Sequence, residues 1–94
     1  MLSESPIKLE KVGKKFTDLE ILRLAIIAEL DAVSLYEQLA SATDNEAIRA
    51  VLLDVAKEEK THVGEFQTML LREDEQQVEE LKKGKEEVEE ELGL

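Results

Sequence analysis

Ala40-Ser41-Ala42-Thr43-Asp44-Asn45-Glu46 is the one short break between two long stretches free of Pro. Its Thr43-Asp44-Asn45-Glu46 has the spacing of a capping box, in which a hydroxyl and a carboxylate three residues apart satisfy the first free N–H groups of a helix. A helix therefore ends near Ala40, and a second begins at Thr43 and runs to about Leu71. Upstream, Phe16-Thr17-Asp18-Leu19-Glu20-Ile21 carries the same signal. Thr17 is the expected N-cap, with Phe16 and Ile21 as a hydrophobic staple, so the first helix spans about Asp18 to Ala40.

A break this short makes the two helices antiparallel neighbours. Alternating steps of three and four trace one seam through Leu19, Leu22, Ile26, Glu29, Val33, Tyr36 and Ala40. On the second helix they trace Ile48, Leu52, Val55, Glu59, His62, Phe66 and Met69. Folded at the turn, Ala40 meets Ile48, Val33 meets Val55, and Glu29 meets Glu59, with His62 beside Ile26. Gly64 lies inside the second helix, either to permit close packing or as a tolerated weak spot.

Glu29, Glu59 and His62 do not suit an apolar seam. Two facing carboxylates resist joint ionisation, and an unpaired buried charge costs several kcal/mol. No Lys or Arg stands on either seam to neutralise them. A bound cation does so, using carboxylate oxygens and a neutral imidazole. Glu59-x-x-His62 sets two ligands one turn apart on one helix face, as in carboxylate-bridged di-iron bundles. The rival reading is a polar layer that fixes oligomer register, and zinc also accepts this ligand set.

The first helix is apolar on a second stripe, Ile21, Ala25, Ala28, Ala32, Leu35 and Leu39, which a two-helix hairpin cannot cover. Self-association follows. A symmetric dimer makes four helices and gathers two copies each of Glu29, Glu59 and His62 between subunits. The expected fold is all-α: an antiparallel hairpin over residues 16–72, closing as a dimer into a four-helix bundle. Residues 1–15 read as an N-terminal arm. Residues 73–94 hold ten acidic and three basic residues, with a sparse stripe of Val78, Leu81, Val88 and Leu92. They read as a third helix, bent away near Arg72–Glu75, or as a solvated acidic tail.

Composition narrows the function further. The 94 residues contain no Cys and one His, and the net charge is -11. A disulfide framework, a thiolate nucleophile and a three-His metal site from one chain are excluded. The charge argues against nucleic acid or an anionic membrane as partner and is compatible with cations. No apolar run approaches the ~20 residues of a membrane span, and no signal peptide is read, so the expected compartment is the cytoplasm.

The segments Glu29-Leu30-Asp31-Ala32-Val33-Ser34-Leu35-Tyr36-Glu37-Gln38 and Glu58-Glu59-Lys60-Thr61-His62, with a short turn between them, resemble the encapsulated ferritins over residues 16–75. The resemblance implies ferroxidase activity: Fe(II) oxidised at a di-iron centre, two iron ions per dimer, formed between subunits. It implies a ring-shaped decamer inside an encapsulin nanocompartment, with iron stored in the shell. It carries the iron-ligand role onto Glu29, Glu59 and His62, places Tyr36 near the centre, and matches Asp31 to an acidic site where iron enters. Ala28 stands where that site has a carboxylate, and Leu35 where the family has a Trp. Cargo members end in a shell-targeting peptide that Glu91-Leu92-Gly93-Leu94 does not resemble, so the expectation is a domain fused to the shell protein or a free-standing relative. The alternatives to a ferroxidase are a non-catalytic acidic helical module and a rubrerythrin-like peroxide reductase.

Overall fold

The computed structural model describes residues 14–94, and their side chains from Thr17 onward. Residues 1–13 of the expected arm, and the Phe16 side chain of the expected staple, lie outside the described residues. Three helices follow in order: α1 (Lys14–Ser41), α2 (Glu46–Glu73) and α3 (Glu75–Leu92). None of them is long and apolar enough to cross a membrane.

The helix starts differ from those expected. α1 begins at Lys14, so Thr17 lies within its first turn and does not cap it. Nothing between Lys14 and Thr17 breaks a helix, and propagation adds a hydrogen bond per residue. At the turn, Asn45 rather than Thr43 is the N-cap of α2. The Asn45 side chain accepts from the N–H of Ala47 at 3.0 Å and of Ile48 at 3.1 Å. Thr43 instead accepts from the Asn45 N–H at 3.1 Å. Asn is the stronger cap of the two, which moves the start by two residues.

Arg49 then locks the turn. Its guanidinium donates to the Ala40 carbonyl at 3.2 Å and to the Thr43 carbonyl, and it pairs with Glu46 at 3.2 Å. The last carbonyls of α1 carry the negative end of the helix dipole, and α1 has no basic residue in its own last turn. Arg49→Ala should therefore destabilise the hairpin by about 1–2 kcal/mol, the worth of charged hydrogen bonds half open to water. Arg49→Lys should recover little of it, because a point charge cannot reach several oxygens at once. Denaturant unfolding of the three proteins checks this.

Packing follows the expected register on α1, where Leu19, Val33 and Ala40 are buried. On α2 the stripe is displaced by one position at alternate turns. Ala56 and Leu70 are the buried residues, not Val55 and Met69, and Ile48 and Met69 are about half exposed. The inner stripe reads Arg49, Leu52, Ala56, Glu59, Val63, Phe66, Leu70. The small Ala56 lets the helices approach, and rotation of α2 carries Ile48, Val55, His62 and Met69 to one edge. Gly64 has nothing within 4 Å of an added Cβ, so it serves no close packing within the chain.

The two edges of the hairpin differ in kind. One is closed by ion pairs from α1: Arg23 with Asp74, just past the end of α2, at 3.2 Å, and Glu37 with Lys60 of α2 at 3.3 Å. The other carries Ile48, Val51, Met69 and Ile21, all 47–63% exposed, around His62. The chain exposes 7350 Å², whereas a compact protein of its mass exposes about 5500 Å².

The third helix leaves at Asp74, whose φ of -131° and ψ of 88° interrupt the helical path. Its side chain caps α3 through the Gln77 N–H at 3.0 Å while holding Arg23 of α1. α3 buries no residue. It ends in a left-handed Gly93, with the Gly93 and Leu94 N–H groups bonded to Glu90 and Glu89 carbonyls. The result is a flat, bent molecule of 46 × 44 × 19 Å.

Candidate metal centre

Glu29 comes from mid-α1, and Glu59 and His62 from successive turns of α2. Ligand atoms of the three lie within 4.8 Å of one another. The His62 Nδ1 is 3.4 Å from Glu29 Oε2 and 3.5 Å from Glu59 Oε2. Glu29 and Glu59 side chains are about one-fifth exposed, whereas His62 is 41% exposed. The group thus has its carboxylates inside the hairpin and its imidazole on the apolar edge. Among the described residues no other trio of His, Asp or Glu gathers this way.

Electrostatics mark the group as incomplete. The Glu29 pKa is raised above its ordinary 4.5, first by the hydrogen bond to Glu59, then by burial and by the Glu59 charge; His62 opposes. For His62, burial lowers the pKa, but the charges of Glu29 and Glu59 outweigh it and the net shift is upward from 6.5. Glu65 adds in the same direction. Glu29 Oε2 is buried yet lacks a well-formed hydrogen bond. An orphaned carboxylate oxygen, a second carboxylate and an imidazole suit a divalent cation.

These shifts predict a pH dependence. Both folded-state pKa values lie above the ordinary ones, so each contribution to stability is full at low pH. It is full below 4.5 for Glu29 and below 6.5 for His62, and is lost as pH climbs through the raised value. Metal-free protein should therefore lose stability as pH climbs from 4.5 to above 6.5, and the double variant Glu29→Gln, His62→Gln should lose less. Affinity for a divalent metal should rise over the same interval, since ligands must shed protons. Unfolding midpoints and metal titrations at both ends of the interval check the two signs.

The other expected residues sit apart from the trio. Tyr36 is half-buried on the inner stripe of α1, two turns beyond Glu29. Asp31, half-buried, is turned about 200° round the helix from Glu29. Glu58 and Glu65 belong to α2's outward side near His62 and are exposed. The influence of Glu65 on His62 was legible only as a three-residue spacing.

Comparison with known proteins bears on this geometry. The Rubrerythrin family profile matches residues 20–92. The solved structure of the encapsulated ferritin domain from Pyrococcus furiosus superposes with a TM-score of 0.85 at 53% identity, covering 100% of this chain and 96% of that one. The chain belongs to the encapsulated ferritin family. Its rubrerythrin-type helical domain is that of the di-iron carboxylate proteins. A ferritin-like-encapsulin shell fusion protein of Pyrococcus furiosus is 56% identical over the whole chain. The encapsulin nanocompartment cargo protein EncC of Myxococcus xanthus is 44% identical over 70% of it. The chain spans 28% of the fusion protein's length and 53% of the cargo protein's.

Proposed function

We propose that this encapsulated ferritin is a ferroxidase that oxidises Fe(II) to Fe(III) at a centre shared by two copies of the chain. The observation that carries the reading is the trio itself: Glu29, Glu59 and His62, within 4.8 Å, opening onto an uncovered apolar edge. Three donors from one chain cannot enclose a pair of iron ions; two chains related by a two-fold axis supply four carboxylates and two imidazoles. The apolar edge around His62 is the surface such a contact would cover.

Glu29 and Glu59 would hold Fe(II) through carboxylate oxygens, with Glu59 as the bridging ligand, and His62 through Nδ1. Each Fe(II) gives up one electron to O₂ or hydrogen peroxide and leaves as Fe(III). The protein contributes ligand number, spacing and charge. Tyr36 would lie near the pair, either bonded to a ligand carboxylate or passing an electron. Asp31 would meet iron on its way in. By likeness to the fusion and cargo proteins, the site would work inside an encapsulin compartment, with the mineral stored in the shell and the dimers joined into a ring.

Anaerobic Fe(II) titration of the assembled protein, with native mass spectrometry, tests this. One iron per chain, bound only by a species containing two or more chains, is the expected endpoint. A stable iron-loaded monomer would contradict the shared centre. Admitting O₂ or hydrogen peroxide separately then identifies the oxidant, and a marked preference for peroxide would turn the reading towards a peroxide reductase.

A further inference from the structure

We infer that Glu65 is a positioning residue for His62: its carboxylate accepts the Nε2–H and thereby presents a proton-free Nδ1 to the metal. The inference rests on the proposed reading of the trio as a metal site. Nδ1 faces Glu29 and Glu59 at 3.4 and 3.5 Å, so Nε2, on the far side of the ring, points outward along the open edge. A histidine that ligates through one nitrogen needs an acceptor on the other to fix its tautomer and hold the ring.

Two carboxylates flank that outward side, Glu58 one turn before His62 and Glu65 one turn after. Helical side chains lean towards the N-terminus of their helix, so Glu65 leans back over His62, whereas Glu58 leans away from it. Both are exposed and extended enough to swing. After the two carboxylates of the trio, Glu65 is the next charge that acts on the imidazole. The ion pair of His62 with α1 runs through Nδ1 to Glu29.

The experiment uses the full chain with Zn(II) as a redox-inert probe. His62 is the only histidine, so ¹⁵N-histidine labelling reports it without assignment. Zn(II) should shift Nδ1 and leave a slowly exchanging, downfield Nε2–H in the parent chain. Glu65→Ala should weaken Zn(II) about tenfold or more and erase that proton signal. Glu65→Gln keeps an acceptor oxygen and should stay within a few-fold with the signal present. Glu58→Ala should match the parent in both. If Zn(II) binds through Nδ1 but Glu65→Ala keeps parent affinity and the Nε2–H signal, the role of Glu65 is overturned while the metal site stands. If Zn(II) leaves the parent His62 spectrum unmoved, the metal site fails, and the positioning role with it.

Discussion

Glu59→Gln is expected to lower the initial rate of Fe(II) oxidation by roughly a hundredfold or more while leaving the metal-free protein as stable as its parent, or more so. Loss of a neighbour's support to a metal ligand already costs ten- to a hundredfold, and loss of a ligand costs more. Glu59 is on the inner stripe, less than one-fifth exposed, so no exposed carboxylate on α2 can take its place from its own turn. In a two-fold pair a single substitution removes two of six donors. Yet the same carboxylate raises the pKa of Glu29 by hydrogen bond and by charge. The amide keeps the shape and removes the repulsion, so the fold gains what the site loses. Adding Zn(II) at a hundred times the parent dissociation constant should stabilise the parent by about 2.7 kcal/mol and the variant hardly at all. Stopped-flow oxidation and denaturant unfolding, with and without Zn(II), read the two effects separately. A variant that oxidises iron at the parent rate would remove Glu59 from the centre.

The second large effect is expected at the apolar edge. Val51→Glu with Met69→Glu changes residues that are 63% and 48% exposed in the single chain, on either side of His62 along α2. Within one hairpin both changes face water and should alter stability by less than about 1 kcal/mol. In a dimer closed over that edge, four carboxylates enter an apolar contact, and each buried charge without a partner costs several kcal/mol. The dimer should dissociate by a factor of a thousand or more, on the order of 4 kcal/mol, and iron should no longer bind at one ion per chain, although every ligand residue is intact. Sedimentation and anaerobic titration of the same samples measure both. Parent-like dimers that still load iron would place the contact elsewhere.

The hairpin and its trio were legible in the sequence because both depend on periodicity. A break of a few residues sets the helices antiparallel, and Glu29, Glu59 and His62 stand out as ionisable groups on otherwise apolar stripes. Which side of α2 packs was not legible. Val55 and Ala56, or Met69 and Leu70, are adjacent apolar residues, and a 100° rotation exchanges them without changing the pattern. Rotation in favour of Ala56 and Leu70 moves His62 to the edge, which opens the trio to a second chain. Capping was misread for a related reason: Thr43 and Asn45 are both good caps two residues apart, and the stronger of them, Asn45, sets the start. The ion-pair edge escaped notice because Arg23, Glu37, Lys60 and Asp74 look individually like ordinary surface charges.

Asp74 has a wider reach than its size suggests. α3 is 18 residues long, about 27 Å at 1.5 Å per residue, and its direction is fixed where Asp74 grips Arg23 and caps the helix. A swing of 10° at that joint moves the far end of α3 by about 5 Å, a whole turn's length. One carboxylate therefore governs, by leverage, where Val88 and Leu92 arrive in space, and its grip on Arg23 makes that aim depend on the hairpin being closed.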